Sequence, residues 1–125
     1  MQTCPLPGKV VRVNPNSSIS AAALDLETQP VPPDQTVNGR PRTGVHTLTE
    51  FGGIEVGVWE MTPGVMTDVE ADEVFVVLSG SATVEFGDGS PAIGIGPGDV
   101  VRLAEGAETV WTVTETVRKI YLVSA

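Results

Sequence analysis

The sequence has little cysteine, histidine or positive charge, and each shortage excludes a class of function. Its single cysteine, Cys4, allows neither an internal disulfide nor a Cys-x-x-Cys zinc motif. Seven Lys and Arg stand against 16 Asp and Glu, for a formal net charge of −9. Because phosphate binding needs clustered Lys and Arg, we expect neither nucleic acid nor an anionic membrane as a partner.

Long hydrophobic runs are also missing. The longest apolar run, Val74 to Leu78, is far too short to span a bilayer. The segment Met1 to Val10 has no apolar stretch of signal-peptide length. We therefore expect a cytoplasmic protein.

Turn-forming residues are abundant instead. The 125 residues include 14 Gly and 10 Pro, which suits short strands and many turns within one domain. The predicted strands are Val45–Thr49, Ile54–Met61, Glu73–Leu78, Ser81–Phe86, Ala92–Ile95, Val100–Leu103, Thr109–Val113 and Val117–Val123. Regular short strands of this kind predict an all-β sandwich or barrel.

The first part of the chain differs from the rest. Residues 1–44 are expected to form an extended arm that packs on the barrel or on a partner subunit, and residues 45–125 the barrel itself. Within the arm we predict a short edge strand at Val10–Val13 and a short helix at Ala21–Leu24. The prolines of residues 29–34 oppose regular ladder hydrogen bonding.

The strand that begins at Glu73 is apolar on both faces. Phe75 and Val77 share one side with Glu73, and Val74 and Val76 lie on the other. A strand with two apolar faces is usually covered on both. One face is expected to line the barrel, and the other to meet the arm, a second sheet or a partner, which favours a homodimer.

Several motifs have the spacing of a known family. They are residues 64–73 with Gly80, Gly98-Asp99 with Ala104-Glu105-Gly106, Gly57-Val-Trp59-Glu60, and Trp111 to Tyr121. Over residues 38–123 the chain resembles the small single-domain cupins, in the branch that includes (S)-ureidoglycine aminohydrolase and the ethanolamine-utilisation cupins. The resemblance implies an RmlC-like jelly-roll barrel, also called a double-stranded β-helix, with an extended N-terminal arm. Many members of this branch have no assigned function.

The metal ligands of that family are missing from this chain. Metal-binding cupins use a His-x-His pair, a Glu and one further His. In this chain the His-x-His pair corresponds either to Thr67 and Val69 or to Met66 and Asp68. The Glu is retained as Glu73, and Thr109 stands at the position of the last His. Zinc or iron prefers nitrogen or sulfur donors, so we expect no metal and no other cofactor.

Glu73 is the candidate acid/base residue because a carboxylate in an apolar pocket has a raised pKa. The alternatives are a wet strand end or a pair with a basic residue. Lys119 and Tyr121 share one face of the last strand. Inside the barrel they could bind a substrate carboxylate or complete an acid/base set. An exterior position is favoured, since an unpaired buried Lys is costly, unless Glu73 pairs with it.

Four residues are candidates for ligand binding. Trp111 and Thr109 share a face, where the indole either fills the space of the absent metal or stacks on a planar ligand. Trp59 and Glu60 lie on opposite faces of one strand, so only one can point inward. Both are kept as candidates.

The remaining polar features favour unremarkable roles. Asp68, Glu70, Asp72 and Glu73 form an acidic cluster. A hard-cation cage needs about six oxygen ligands, so this cluster is interpreted as a solvated turn. His46, the only histidine, lies outside the motifs and is interpreted as a surface or hydrogen-bonded residue.

Three hypotheses follow. The first is a cupin that binds a small polar metabolite in the barrel without a transition metal. The second is a metal-independent acid/base enzyme, a hydrolase or isomerase, that acts on a small nitrogenous or carbonyl substrate through Glu73. The third is a dimeric interaction module whose barrel is filled by Trp111. A lumen in which Glu73, Lys119 and Tyr121 converge would favour the enzyme, and a filled lumen the third hypothesis.

Overall fold

A computed structural model describes residues 11–125, which contain nine β-strands and no helix. The strands are β1 Gln29–Pro30, β2 Thr36–Asn38, β3 Arg42–Phe51, β4 Ile54–Met61, β5 Gly64–Val69, β6 Glu73–Phe86, β7 Ile93–Ile95, β8 Val100–Leu103 and β9 Glu108–Ser124. The all-β prediction is confirmed. Cys4 lies outside the described residues. Within them no helix is long and apolar enough to cross a membrane, and the cytoplasmic location stays a prediction.

The strands form one curled antiparallel sheet around a single core. Its order is β1-β3-β4-β9-β5-β2, and β6 pairs with β7, β8 and β9. The two long strands are central, because β9 pairs with β6 along one edge and with β4 and β5 along the other. The largest fully buried side chains include Trp111, Phe75, Met61 and Leu103. The curl turns one face of each long strand inward.

The two long strands correct the predicted strand ends. Each of β6 and β9 was predicted as two strands but is continuous. The pairing register of β6 shifts around Gly80, whose φ is +88°. A Cβ at Gly80 would overlap the carbonyl oxygen of Thr116, so only glycine lets the strands pass there. Gly80 therefore marks a bend and not an end.

The segment before β1 lies against the barrel without regular structure. The predicted edge strand at Val10–Val13 does not form at Val11–Val13, where the Val13 amide donates to the Leu48 carbonyl at 2.9 Å. Val10 lies outside the described residues. The predicted helix at Ala21–Leu24 is only a turn, because a single helical turn is unstable and the guanidinium of Arg118 takes up its carbonyl oxygens.

Strands β1 and β2 also precede residue 45, and they pair with β3 and β5 in the same sheet. The division of the chain into an arm of residues 1–44 and a barrel of residues 45–125 stays a prediction. So does any packing of the arm on a partner subunit.

One apolar surface of the barrel is only partly covered by the chain itself. Phe75 and Val77 on β6 are buried in the interior, but Val74 on the opposite face keeps 36% of its surface exposed. Residues directly opposite on paired strands share a face. The outer face therefore consists of Val74, Val76 and Leu78 on β6, Val100 on β8, and Ile120 and Leu122 on β9. Within one chain, the inner face of β6 is covered as predicted, and its outer face is covered only in part.

Candidate functional site

The inward faces of β4, β5, β6 and β9 line a cavity of about 150 Å³ that is open to solvent on one side, where Val45 of β3 borders it. Its aromatic lining is Trp59, Trp111 and Tyr121, and its ionisable lining is Asp68, Glu70, Glu73 and Lys119. Alternation along each strand puts these side chains on one face, since residues two apart point the same way. Lys119 and Tyr121 on β9 are examples. The cavity therefore combines apolar walls with four charged groups.

Lys119 and Glu73 form a buried ion pair in this cavity. Lys119 Nζ lies 2.7 Å from Glu73 Oε2, and the side chains are only 6% and 11% exposed, respectively. The preference for an exterior Lys119 is wrong, because Glu73 supplies the partner that makes burial of the ammonium tolerable. The face of β9 that carries Lys119 and Tyr121 is the inner one.

Three aromatic rings surround the same ammonium group. Nζ of Lys119 lies 4.6 Å from the ring centroid of Trp59, 4.0 Å from that of Phe75 and 4.9 Å from that of Trp111. The faces of aromatic rings attract cations. The rings also pack on each other, with a centroid distance of 5.3 Å between the two indoles. Lys119 is thus a cation held in a fixed position.

Glu70 is buried in the wall of the cavity. It is 7% exposed, and its Oε2 accepts hydrogen bonds from Thr109 Oγ1 at 2.6 Å and from Trp111 Nε1 at 3.0 Å. The interpretation of Glu70 as part of a solvated turn is therefore wrong. The same interpretation is correct for Asp72, which is exposed and forms a salt bridge with Arg102 at 3.2 Å. Sequence reasoning missed β5, whose alternation places Asp68 on the inner face and leads on to Glu70.

Asp68 lies beside Glu70 on the same wall. Burial raises the pKa of the Asp68 carboxyl above its ordinary value, and the neighbouring Glu70 carboxylate raises it further. Asp68 Oδ1 accepts a hydrogen bond from the Val69 amide at 2.9 Å, and this bond and the positive charge of Lys119 both lower the pKa, in the opposite direction. The net effect is a carboxyl that binds a proton more readily than an exposed Asp.

Tyr121 is fixed by a second carboxylate. Its hydroxyl donates to Glu55 Oε2 at 2.7 Å, and Thr47 Oγ1 donates to the same oxygen at 2.9 Å. Burial and the hydrogen bond to Glu55 raise the pKa of Tyr121 well above its ordinary value, so the phenol stays protonated. A Cβ at Gly57 would overlap the Tyr121 ring, so glycine is needed opposite it. Sequence reasoning missed Glu55, although it shares the inner face of β4 with Trp59.

Trp59 and Glu60 separate to the two faces of β4. Trp59 lines the cavity, whereas Glu60 points outward and accepts two hydrogen bonds from Arg118, at 3.0 and 2.7 Å. The same guanidinium donates to the carbonyl oxygens of Ala21, Ala22 and Leu24. The structure therefore does not bring Glu60, a predicted ligand residue, into the cavity.

The donor set in the barrel does not fit a transition metal. Of the two alternative positions for the His pair, Met66 and Asp68 face inward. His46 is half-buried elsewhere, with Nε2 2.6 Å from the Val11 carbonyl oxygen. Across residues 11–125 no group of three or more His, Cys, Asp and Glu side chains could hold a metal ion. The side chains that are present are carboxylates, thioethers, hydroxyls and the Lys119 ammonium, and zinc and iron bind poorly to such a set without imidazole or thiolate donors.

The predicted catalytic residues meet in one cavity, although not as one hydrogen-bonded set. Glu73 and Lys119 are in contact, and Tyr121 lines the same space while bonding to Glu55. Trp111 lines the cavity without filling it, and Thr109 lies behind Glu70. This arrangement can bind a small polar molecule and can donate or accept protons.

Comparison with known proteins identifies relatives of this barrel. A family model described as an EutQ-like cupin domain matches residues 48–121, more than half of the chain. No curated protein matches the chain.

Solved structures share the fold. A protein of unknown function from Pseudomonas syringae pv. tomato is 27% identical, with a TM-score of 0.71 over 86% of this chain. The match covers 47% of that protein, so this chain spans about half its length. The EutQ protein of Clostridium difficile is 15% identical, with a TM-score of 0.67 over 86% of this chain and 85% of its own. These likenesses confirm the jelly-roll prediction.

Proposed function

Because the chain belongs to the EutQ-like cupin family, we propose that it binds a small polar molecule inside its barrel without a transition metal. The observation that carries the proposal is the buried Lys119–Glu73 pair, which borders free volume. Burying charges opposes folding, and apolar side chains would fill a purely structural interior more favourably. Charged groups kept around an open space are typical of a binding site.

The cavity volume indicates the size of the group that can enter it. Each water molecule in the liquid occupies about 30 Å³. The cavity volume of about 150 Å³ therefore accommodates a ligand, or a ligand group, of a few heavy atoms. Trp59 and Trp111 supply flat walls. The ammonium of Lys119 has three N–H groups, and only one of them donates a hydrogen bond to Glu73.

Acid/base catalysis is a second candidate function. The raised pKa of Asp68 makes this carboxyl a candidate proton carrier next to the Lys119–Glu73 pair. The substrate class would be a small nitrogenous or carbonyl compound. The third hypothesis, a filled barrel, is disfavoured because free volume remains beside Trp111.

We further propose a homodimer that forms through the outer face. This face combines Val100, 69% exposed, with the half-covered apolar residues of β6 and β9. Contiguous apolar patches of this kind often mark interfaces. Val100→Lys should lower the mass measured by light scattering from dimer to monomer, and Glu85→Lys, an exposed control on β6, should not. A monomeric wild-type protein would contradict the dimer.

The binding proposal is tested by NMR with a panel of small amines, amides, alcohols and carboxylates. The chain has two Trp, and both indoles line the cavity, so their N–H signals report on it directly. At least one class should shift both signals with saturation. The shifts should disappear in the double variant Lys119→Met/Glu73→Leu and persist in Glu115→Gln, an exposed control. A panel that leaves both indole signals unmoved would reject the proposal.

A further inference from the structure

The charges around the cavity are not balanced. Among residues 11–125 only one basic residue, Lys119, lines it, and Glu73 already pairs with Lys119. The other two acidic lining residues, Asp68 and Glu70, form no salt bridge with any Lys or Arg among residues 11–125, and Lys119 acts on Asp68 only through its more distant charge. We propose that the ligand is a small organic cation, an amidine or a primary amine, which these two carboxylates bind. This inference rests on the proposed function.

Glu70 is the strongest single observation for a cationic ligand. Its side chain is more than nine-tenths buried, yet it lines the cavity. Both of its side-chain hydrogen bonds come from neutral donors, Thr109 and Trp111, and both reach Oε2. Among residues 11–125 no hydrogen bond reaches Oε1, and since no buried polar side-chain atom of these residues lacks a partner, Oε1 is open to solvent in the cavity. A carboxylate accepts several hydrogen bonds, so a donor in the cavity would complete its coordination and compensate its charge.

Asp68 adds a second acceptor on the same wall. It precedes Glu70 by two residues and faces the same cavity. The repulsion that raises the pKa of Asp68 in the presence of Glu70 is what a cation between the two carboxylates would relieve. Binding of the cation should therefore lower the pKa of Asp68 and release a proton at a pH where this carboxyl is still partly protonated.

The walls favour a flat cation of the amidine type. An amidinium presents two parallel N–H groups that match a carboxylate. The indole of Trp111 is held by its hydrogen bond to Glu70, so a flat surface adjoins the carboxylate. Lys119 does not take this position because Glu73 and three aromatic rings hold its ammonium. An anion, in contrast, would meet the uncompensated carboxylates Asp68 and Glu70, and Glu73 already neutralises the charge of Lys119.

The test compares three probes of the same size and shape that differ in charge: acetamidinium, acetamide and acetate. Each is titrated into the full chain, and the two indole N–H signals are followed by NMR. Acetamidinium should bind at least about tenfold more tightly than the other two, as expected for charge-assisted hydrogen bonds. Calorimetry in two buffers of different ionisation enthalpy should detect the released proton.

Variants separate the site from general attraction by an acidic protein. Glu70→Gln keeps an acceptor for the Trp111 indole but removes the charge of Glu70. Asp68→Asn likewise keeps an acceptor for the Val69 amide and removes the charge of Asp68. Each should weaken acetamidinium binding about tenfold. Glu85→Gln, exposed on β6, removes the same charge outside the cavity and should leave the affinity unchanged.

The outcomes separate the two proposals. Equal or tighter binding of acetamide or acetate would overturn the cation proposal and leave the binding function intact. The cation proposal also fails if Glu70→Gln and Asp68→Asn both bind acetamidinium as the wild type does, or if Glu85→Gln weakens binding as much as they do. If neither these probes nor any compound of the wider panel moves the indole signals, the proposed function itself is rejected.

Discussion

Arg118 and Lys119 are adjacent on β9, and both are buried cations that pair with a glutamate. Arg118 faces outward, where Glu60 and three carbonyl oxygens of the N-terminal segment saturate its guanidinium. Lys119 faces inward, where Glu73 and aromatic rings hold it beside free volume. Burial and pairing are therefore common to both residues. Only the space next to the ion pair distinguishes a candidate site from a structural bridge.

The largest expected effect is on the structural side. Arg118→Met leaves Glu60 and three carbonyl oxygens without their donor, and we expect a loss of about 3–5 kcal/mol in the free energy of unfolding. Urea denaturation measures it. Arg102→Met, which breaks an exposed pair, is the control and should cost less than about 1 kcal/mol. A similar loss for both variants would show that Arg118 is not a structural bridge.

A smaller effect is expected from Gly57→Ala on the cavity side. The added methyl group overlaps the Tyr121 ring and must displace it from Glu55, at a cost of about 1–3 kcal/mol. Gly94→Ala is the matched control, because a Cβ there meets nothing within 4 Å. Thermal unfolding of the two variants compares them. Equal midpoints would mean that Tyr121 is not fixed in this position.

The double variant Lys119→Met/Glu73→Leu tests the comparison most directly. It replaces a buried ion pair with apolar side chains of similar size, so the free energy of unfolding should change by less than about 1 kcal/mol. Ligand binding should be lost. If the fold collapsed while Arg118→Met stayed stable, the roles of the two pairs would be reversed.

The smallest effect concerns Asp68 and appears only as a function of pH. Its pKa is raised from 3.8 in the folded chain, so folding is favoured while Asp68 is protonated. That contribution is present below pH 3.8 and is lost as the pH rises through the folded pKa. Asp68→Asn should therefore match the wild type in acid and become more stable than it toward neutral pH. Water screens this partly buried group, so the difference should be the smallest of the four effects. Parallel stability curves would contradict the raised pKa.

Strands bounded by clear turns could be predicted from the sequence. Ile54–Met61 and Val100–Leu103 have the predicted ends, because glycine-containing turns adjoin both. Glycine inside a strand is ambiguous, since it marks either an end or a bend, and Gly80 is a bend.

The orientation of the site residues could be predicted only in part. Alternation showed that Lys119 and Tyr121 share a face, but it cannot tell which face points inward. The burial of Glu70 depends on Thr109 and Trp111, 39 and 41 residues away in the sequence. Contacts at that distance follow from the closure of the barrel and leave no local pattern.

Strand β9 also has a consequence for how the protein folds. It pairs with β4, β5 and β6, so the earlier strands keep unpaired edges until β9 has been synthesised. Pairings between such distant segments make folding slow, on the order of milliseconds to seconds. A nascent chain halted before residue 108 would expose these edges and the apolar interior at the ribosome, and would be prone to aggregation until β9 closed the barrel.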